Sequence, residues 1–519
     1  MDDLVIVFVS LYMNRNYNVR ILHPLAESIR GVKPYSIFLK NCEVNVFDYP
    51  TDTELELFLT KIRDMNPKII SFTVMSPYAQ TAKKITKLVK QQNPNTIIIW
   101  GGIHPTIYPD GCINDVDIIC VGEGEGALVD LLTNIRDGKT YDTISNLWIR
   151  HENKIINNSL RQLIQDLDSL PFPLYGSKSY YFINNNKITQ VDPLLQDPYY
   201  LIQTSRGCPW NCSYCGNSAL KQIYRELGPY TRRKSVKTVI SEIKQFLSIT
   251  EKNTRFIMFI DEVFAIEKRW LEDFVCQYKK EIKLPFLVEY HPKLLNINII
   301  ERLKEAGLDT IVMGIQSGSD YVRNQIYERP GTNEEIVRLA KEISKRGIKI
   351  SYDLILDSPY VKEKELKETI NLLFQLPKPL TFSLYTLQFF PNYPLTKKAI
   401  EDGYLNKEDA GWEALIEKTM KNFAYVPKFF PNTKEQKLKN IIWLITLNKA
   451  SVNTVKKAVF FDTFLSTLLL NYLHIKSIVL SKFYGDGRPQ ITLYAISALH
   501  YLKTGDLNTL YVKIKEHYF

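Results

Sequence analysis

Seven cysteines in 519 residues are too few for a disulfide framework, which places the chain in a reducing compartment. Long apolar runs are missing as well. The most apolar late stretch, 460–480, is interrupted by Asp462, His474 and Lys476, so no window reaches the length of a spanning helix. It reads as a buried or amphipathic helix. The opening Met-Asp-Asp-Leu-Val-Ile carries acid rather than base ahead of its apolar run, which argues against a signal peptide. The net charge of +10 arises from 66 basic against 56 acidic residues scattered along the chain. No dense basic block alternates with aromatics, so nucleic-acid binding is not expected. Internal repeats, low-complexity tracts and a Gly-x-Gly-x-x-Gly dinucleotide fingerprint are also absent. These absences leave a cytoplasmic globular protein, long enough for about three domains.

What is present has α/β periodicity. Over residues 1–150, short β-rich runs at Leu4–Ser10, 42–49, 68–74, 96–100 and 117–121 alternate with helical patterns such as 79–91. This predicts a Rossmann-like, doubly wound domain. Residues 151–195, rich in Asn, Pro and Tyr with weak periodicity, read as a linker. From 196 to 405 a second series begins, with strands expected at 201–204, 256–260, 286–289, 310–315, 348–356 and 381–389. Helices are expected between them at 236–247, 299–306 and 334–346. Six strand–helix units predict a complete or partial β/α barrel. Residues 406–519 read as a mostly helical C-terminal domain. Its aromatics, including Trp412, Trp443 and Tyr472, read as core before substrate contact.

One loop stands out. Cys208, Cys212 and Cys215 fall within eight residues, after the first barrel strand, where a β/α barrel carries its active-site loops. Three thiolates on a short loop can converge on a metal centre and leave one coordination position open. A zinc knuckle with a remote fourth ligand is the structural alternative. Cys42, Cys112, Cys120 and Cys276 read as packing residues.

The context Thr204-Ser-Arg206-Gly-Cys208-Pro-Trp-Asn-Cys212-Ser-Tyr214-Cys215-Gly216-Asn217 closely resembles the signature of the radical S-adenosylmethionine (SAM) enzymes. That resemblance implies that the three cysteines hold a [4Fe–4S] cluster whose fourth iron is chelated by SAM. Further segments resemble the family's SAM-proximal strand ends. They are Phe259-Ile-Asp261-Glu262, Met313-Gly-Ile-Gln316-Ser317-Gly-Ser319, and Tyr352-Asp353-Leu-Ile-Leu-Asp357-Ser-Pro359. Gln316 replaces the commoner Glu, and Asp357 stands where Gly is common. His291, at a strand end, is an acid–base or substrate-contact candidate, with a structural role as the alternative.

Upstream, Trp100-Gly101-Gly102-Ile-His104-Pro-Thr106 and Asp117-Ile-Ile-Cys-Val-Gly122-Glu123-Gly124-Glu125 resemble the cobalamin-binding domain joined to many radical SAM enzymes. The resemblance places Ser71, Thr73, Ser76 and His104 around the nucleotide tail and Gly101, Gly102, Gly122, Glu123 and Gly124 against cobalamin. No Asp-x-His-x-x-Gly motif supplies an axial histidine. The family resemblance spans roughly residues 1–400. It implies a methyltransferase that uses methylcobalamin and a 5′-deoxyadenosyl radical to methylate an unactivated carbon, with a cyclase or rearrangement enzyme as the alternative. The implied partners are a small-molecule or peptide substrate and an external one-electron reductant such as flavodoxin or ferredoxin.

Overall fold

The computed structural model describes residues 3–11, 17–40, 49–152, 154–250, 253–265, 267–406, 425, 427 and 433–446. The expectations for a strand at 42–48, for Cys42, Trp412 and Tyr472, and for segment 460–480 fall outside these residues. Two compact units are formed. The first contains residues 1–313, 325–330 and 387–423. The second contains 314–324, 331–386 and 424–519.

The first unit opens with nine strands: β1 (Leu4–Ser10), β2 (Val32–Leu39), β3 (Ile69–Thr73), β4 (Ile97–Gly101), β5 (Ile118–Cys120), β6 (Leu147–His151), β7 (Lys154–Asn157), β8 (Tyr180–Asn184) and β9 (Lys187–Thr189). They form one sheet in the order β7-β6-β5-β4-β3-β1-β2-β8-β9. The six strands from β5 to β8 in this order are parallel, and antiparallel hairpins close both edges. Alternation along β1 divides the core in two. Val7 and Val9 pack with Phe58, Ile62, Ile85 and Val89, from α2 (Asp52–Met65) and α3 (Ala79–Gln92). Ile6 and Phe8 pack with Val19, Ala26, Leu128 and Leu131, from α1 (Tyr17–Glu27) and α5 (Glu125–Arg136). The chain leaves β1 for β2 on one side and later fills β3, β4 and β5 on the other. A crevice at the strand C-termini follows from that reversal.

Residues 151–195 are therefore no simple linker, because they supply β7, β8 and β9 to this sheet. Strand β2 was likewise not among the expected strands. These strands are selected by pairing with a neighbouring backbone rather than by their own weak patterns.

The second sheet contains β10 (Tyr199–Ile202), β13 (Phe256–Phe259), β14 (Phe286–Tyr290), β15 (Leu308–Gln316), β16 (Lys349–Asp357) and β17 (Thr381–Thr386), in that order. Helices intervene between these strands, as in a partial β/α barrel. Strands β10, β13, β14 and most of β15 belong to the first unit, where Phe259 is packed by Phe274, Tyr278 and Phe286 at ring distances of 5.4, 6.1 and 5.5 Å. A two-stranded ribbon, β11 (Ser205–Arg206) with β12 (Arg232–Arg233), flanks the cysteine loop. The loop runs into α6 (Gly216–Ile223). In the second unit β16 pairs with β17, stacking Tyr352 on Phe382 at 4.9 Å. The helix Lys434–Thr446 buries Trp443 in this unit, consistent with a core role.

Candidate functional site

A cavity of about 410 Å³ lies within the first unit. Its volume is in the range of ligand sites. On one side it meets the ends of the parallel strands: Ser71 and Thr73 from β3, Gly101 and Gly102 at the end of β4, and Cys120, Gly122, Glu123 and Gly124 at and beyond the end of β5. On the other side stand Arg206, Gly207, Cys215, Gly216, Asn217 and Glu262. Two sets of residues more than eighty positions apart thus face a common space.

Backbone without side chains shapes both walls. Gly102 has φ +99°, and a Cβ there would come within 3.0 Å of the Val74 carbonyl oxygen. At Gly207 (φ +86°) a Cβ would lie 2.3 Å from the Tyr230 carbonyl oxygen. Thr106, part of the first glycine motif but not among the expected site residues, accepts the Gly122 N–H at 3.0 Å and donates to the Gly102 carbonyl at 2.7 Å. It ties the two glycine turns together.

Ionic contacts join the walls. Glu123 Oε1 accepts from Arg206 (3.0 Å) and Arg232 (2.9 Å), while its Oε2 accepts the Ile164 N–H at 2.8 Å. Arg206 also donates to Glu125 at 2.5 Å. Burial disfavours the Arg206 charge, but Glu125 and Glu123 outweigh it and raise its pKa. Glu123, expected against cobalamin, lines the cavity and is also engaged by two guanidinium groups.

The cysteine loop is held by its own backbone. Cys215 N–H donates to Cys212 O at 3.0 Å, and Ser218 Oγ donates to the same oxygen at 2.7 Å. Asn217 Nδ2 lies 3.7 Å from Cys215 Sγ, and Asn217 Oδ1 accepts from Tyr230 at 2.6 Å. Burial, then the charge of Glu262, pushes the Cys215 thiol up to about 12. A thiolate at this position therefore needs a cationic partner, as iron would be. Among the described residues no three His, Cys, Asp or Glu side chains sit at the spacing of ligands to a single ion. Three cysteine thiols on one loop are the donor type of an iron–sulfur cluster, which takes one thiolate per iron. Glu262 lines the cavity with its side chain open to that space, and desolvation raises its carboxyl pKa against the opposing hydrogen bond from Asn217.

Other expected residues are placed elsewhere. Asp261 is wholly buried and does not line the cavity; it accepts from Thr204 N–H and Oγ1 at 3.0 Å and from Ser205 Oγ, bracing the chain that leads into the cysteine loop. Ser76 and His104 pair with each other at 3.1 Å, away from the lining. Tyr214 packs edge-on against Tyr327 at 5.2 Å. His291 is buried, stacks on Trp210 at 4.4 Å, and accepts the Lys293 N–H at 3.1 Å. His291 is not part of the cavity wall. In the second unit, Gln316 adopts φ +60° and Ser317 Oγ accepts the Ser319 N–H at 3.1 Å; Asp353 lies in β16. Cys112 and Cys120 are buried as expected, but Cys276 is exposed. Among the described residues no helix is long and apolar enough to cross a membrane.

The family model described as "Radical SAM superfamily" matches residues 202–373, and the "B12 binding domain" model matches residues 30–132. Over 351 residues the chain is 25% identical to an uncharacterized methyltransferase of Pyrococcus horikoshii, covering 66% of this chain and 72% of that protein. It is 24% identical to the anaerobic magnesium-protoporphyrin IX monomethyl ester cyclase of Cereibacter sphaeroides, over 64% of this chain and 53% of the cyclase. Among solved structures, TsrM from Kitasatospora setae, a radical SAM methyltransferase with cobalamin and [4Fe–4S] cluster bound, superposes with a TM-score of 0.64 at 14% identity. That match covers 92% of this chain and 99% of TsrM. OxsB with aqua-cobalamin gives 0.62 at 18% identity, over 93% and 75% of the two chains. With the glycine turns and the cysteine loop facing one cavity, and both family models matched in that order, the chain belongs to the cobalamin-binding radical SAM enzymes, whose cofactors are a [4Fe–4S] cluster, SAM and cobalamin.

Proposed function

We propose that this chain is a cobalamin-dependent radical SAM methyltransferase acting on an unactivated carbon. The observation that carries the reading is the shared cavity. The strand ends at Gly101, Gly102, Gly122 and Gly124 open onto the same space as Cys215, Gly216 and Asn217. Relatives named as methyltransferases, from P. horikoshii to TokK of Streptomyces tokunonensis, support it.

When bound, the cofactors supply one-electron cleavage of SAM and a carrier for the methyl group. The chain's part is to hold and shield them. Cys208, Cys212 and Cys215 would hold the cluster. Ser71, Thr73 and the glycine turns would hold cobalamin. Gly216, Asn217 and Glu262 would meet SAM, with Gln316, Ser317 and Asp353 assigned there by their motifs. Asp261, Glu123, Tyr214, Ser76, His104 and His291 act as positioning residues. Apolar walls such as Ile99, Leu128 and Leu131 keep water from the reacting atoms. An external one-electron reductant such as flavodoxin or ferredoxin, and a reducing compartment such as the cytoplasm, complete the reading.

A cyclase or rearrangement catalyst with the same cofactors is the second reading, favoured by the cyclase relatives. Anaerobic turnover with methyl-labelled SAM separates the two, because label enters product only in a methyl transfer. Replacing Cys208, Cys212 and Cys215 together by Ala should abolish 5′-deoxyadenosine formation, assayed by chromatography, while cobalamin absorption persists. Retained SAM cleavage would refute the cluster assignment.

A further inference from the structure

The cysteine loop is sewn to a short segment of the first unit far away in sequence. Ser213 N–H donates to Tyr327 O at 3.0 Å, and Ser213 Oγ donates to Ile326 O at 2.6 Å. The Tyr214 ring meets Tyr327 edge-on. The next residue, Glu328, is left-handed at φ +48°, a conformation an L residue holds only when its surroundings impose it. Arg329 follows at once. Its Nη1 lies 3.7 Å from Cys212 Sγ, and Cys212 is only 5% exposed.

Other polar groups near the loop do different work. Lys221 donates to Trp210 O at 2.9 Å and to Asn211 Oδ1 at 2.8 Å, so it holds the loop by hydrogen bonds while its charge acts on the thiols only through space. Asn217 reaches Cys215 Sγ with a neutral amide. Arg329 brings both an N–H donor and a permanent charge to a sulfur, because a guanidinium does not deprotonate in proteins.

We propose that Arg329 sets the reduction potential of the cluster carried by this loop, through its N–H···S contact and fixed positive charge at Cys212. The inference rests on the assignment of the three cysteines to a [4Fe–4S] cluster. Reduction adds one electron from an external donor and makes the cluster–thiolate unit more negative by one charge. A guanidinium beside one sulfur stabilises that product more than the oxidised form, and low surrounding dielectric enlarges the difference. Arg329 thus eases electron entry.

The test uses the full chain and its Arg329→Met and Arg329→Lys variants, reconstituted anaerobically with iron and sulfide. Iron and sulfide content is measured first, then the midpoint potential by mediated dithionite titration followed by electron paramagnetic resonance. Arg329→Met should disfavour reduction at least tenfold, a downward shift of about 59 mV for one electron. Arg329→Lys, which keeps the charge but not the fork, should shift it less. An unchanged midpoint in Arg329→Met at full cluster content overturns the inference while leaving the cluster assignment intact. Failure of the unaltered chain to take up iron and sulfide overturns the assignment itself. If Arg329→Met assembles no cluster, Arg329→Lys and Arg329→Gln decide by the same measurement.

Discussion

The guanidinium of Arg206 bridges Glu123 and Glu125, and Arg232 completes the group at Glu123. Opposite charges held out of water are worth most as a complete set, because removing one partner strands another. Arg206→Ala should therefore cost about 3–5 kcal/mol in stability, read by denaturant unfolding. It should also weaken cobalamin retention, since the Gly122 and Gly124 turns lose their tether. A loss below about 1 kcal/mol would show that water takes over the role of Arg206. The cysteine loop and the glycine turns that meet at the cavity were legible from spacing and neighbours. Arg206 was legible only as a flank of the cysteine loop, because its acidic partners lie 83 and 81 residues away. At His291 residue type alone left acid–base and structural roles open, and only the structure shows its packing on Trp210 and its bond from the Lys293 N–H.

Helix α10 (Asn333–Lys345) starts at Thr332, whose hydroxyl accepts from Glu335 N–H at 3.3 Å while Glu335 accepts from Thr332 N–H at 3.1 Å. Thr332→Ala leaves the Glu335 N–H to water and should cost about 1 kcal/mol. The shift is measurable as a lower urea midpoint with unchanged slope. Strands β1, β3, β4, β5 and β13 to β16 were legible because each combines a β-rich run with flanking turn residues. Strand β2, with Lys33, Pro34 and Ser36 inside it, was not legible. It exists because β1 and β8 offer ladders on both sides. Helix α8 (Lys268–Glu281) could have been read more closely. Its buried Leu271, Phe274, Val275 and Tyr278 mark one face, and the spacing sets Cys276 off it.

For the whole molecule, two imidazoles tie stability to pH. His23 lies beside Ser36 Oγ at 2.8 Å, and burial, then the Arg20 charge, lowers its pKa to about 4. Burial lowers His104 to about 3. Both folded values lie below the unfolded one near 6.5, so the unfolded chain binds more protons in this window. The stability they supply is complete above about pH 6.5 and is lost as the pH falls. By about pH 5.5 each should cost roughly 1 kcal/mol. Denaturant midpoints compared across this range check the slope, and His23→Gln should remove about half of it. An equal slope in that variant would exclude His23 as a source. The sequence by itself determined the chemistry and the two α/β patterns, because cysteine spacing, glycine turns and hydrophobic period are local properties of the chain. Only the tertiary structure decided which strands fill the edges, that the glycine turns and the cysteine loop share a cavity, and that Arg206 and Arg329 serve them. Those facts depend on pairing and charge contacts between residues far apart in sequence, which no local pattern records.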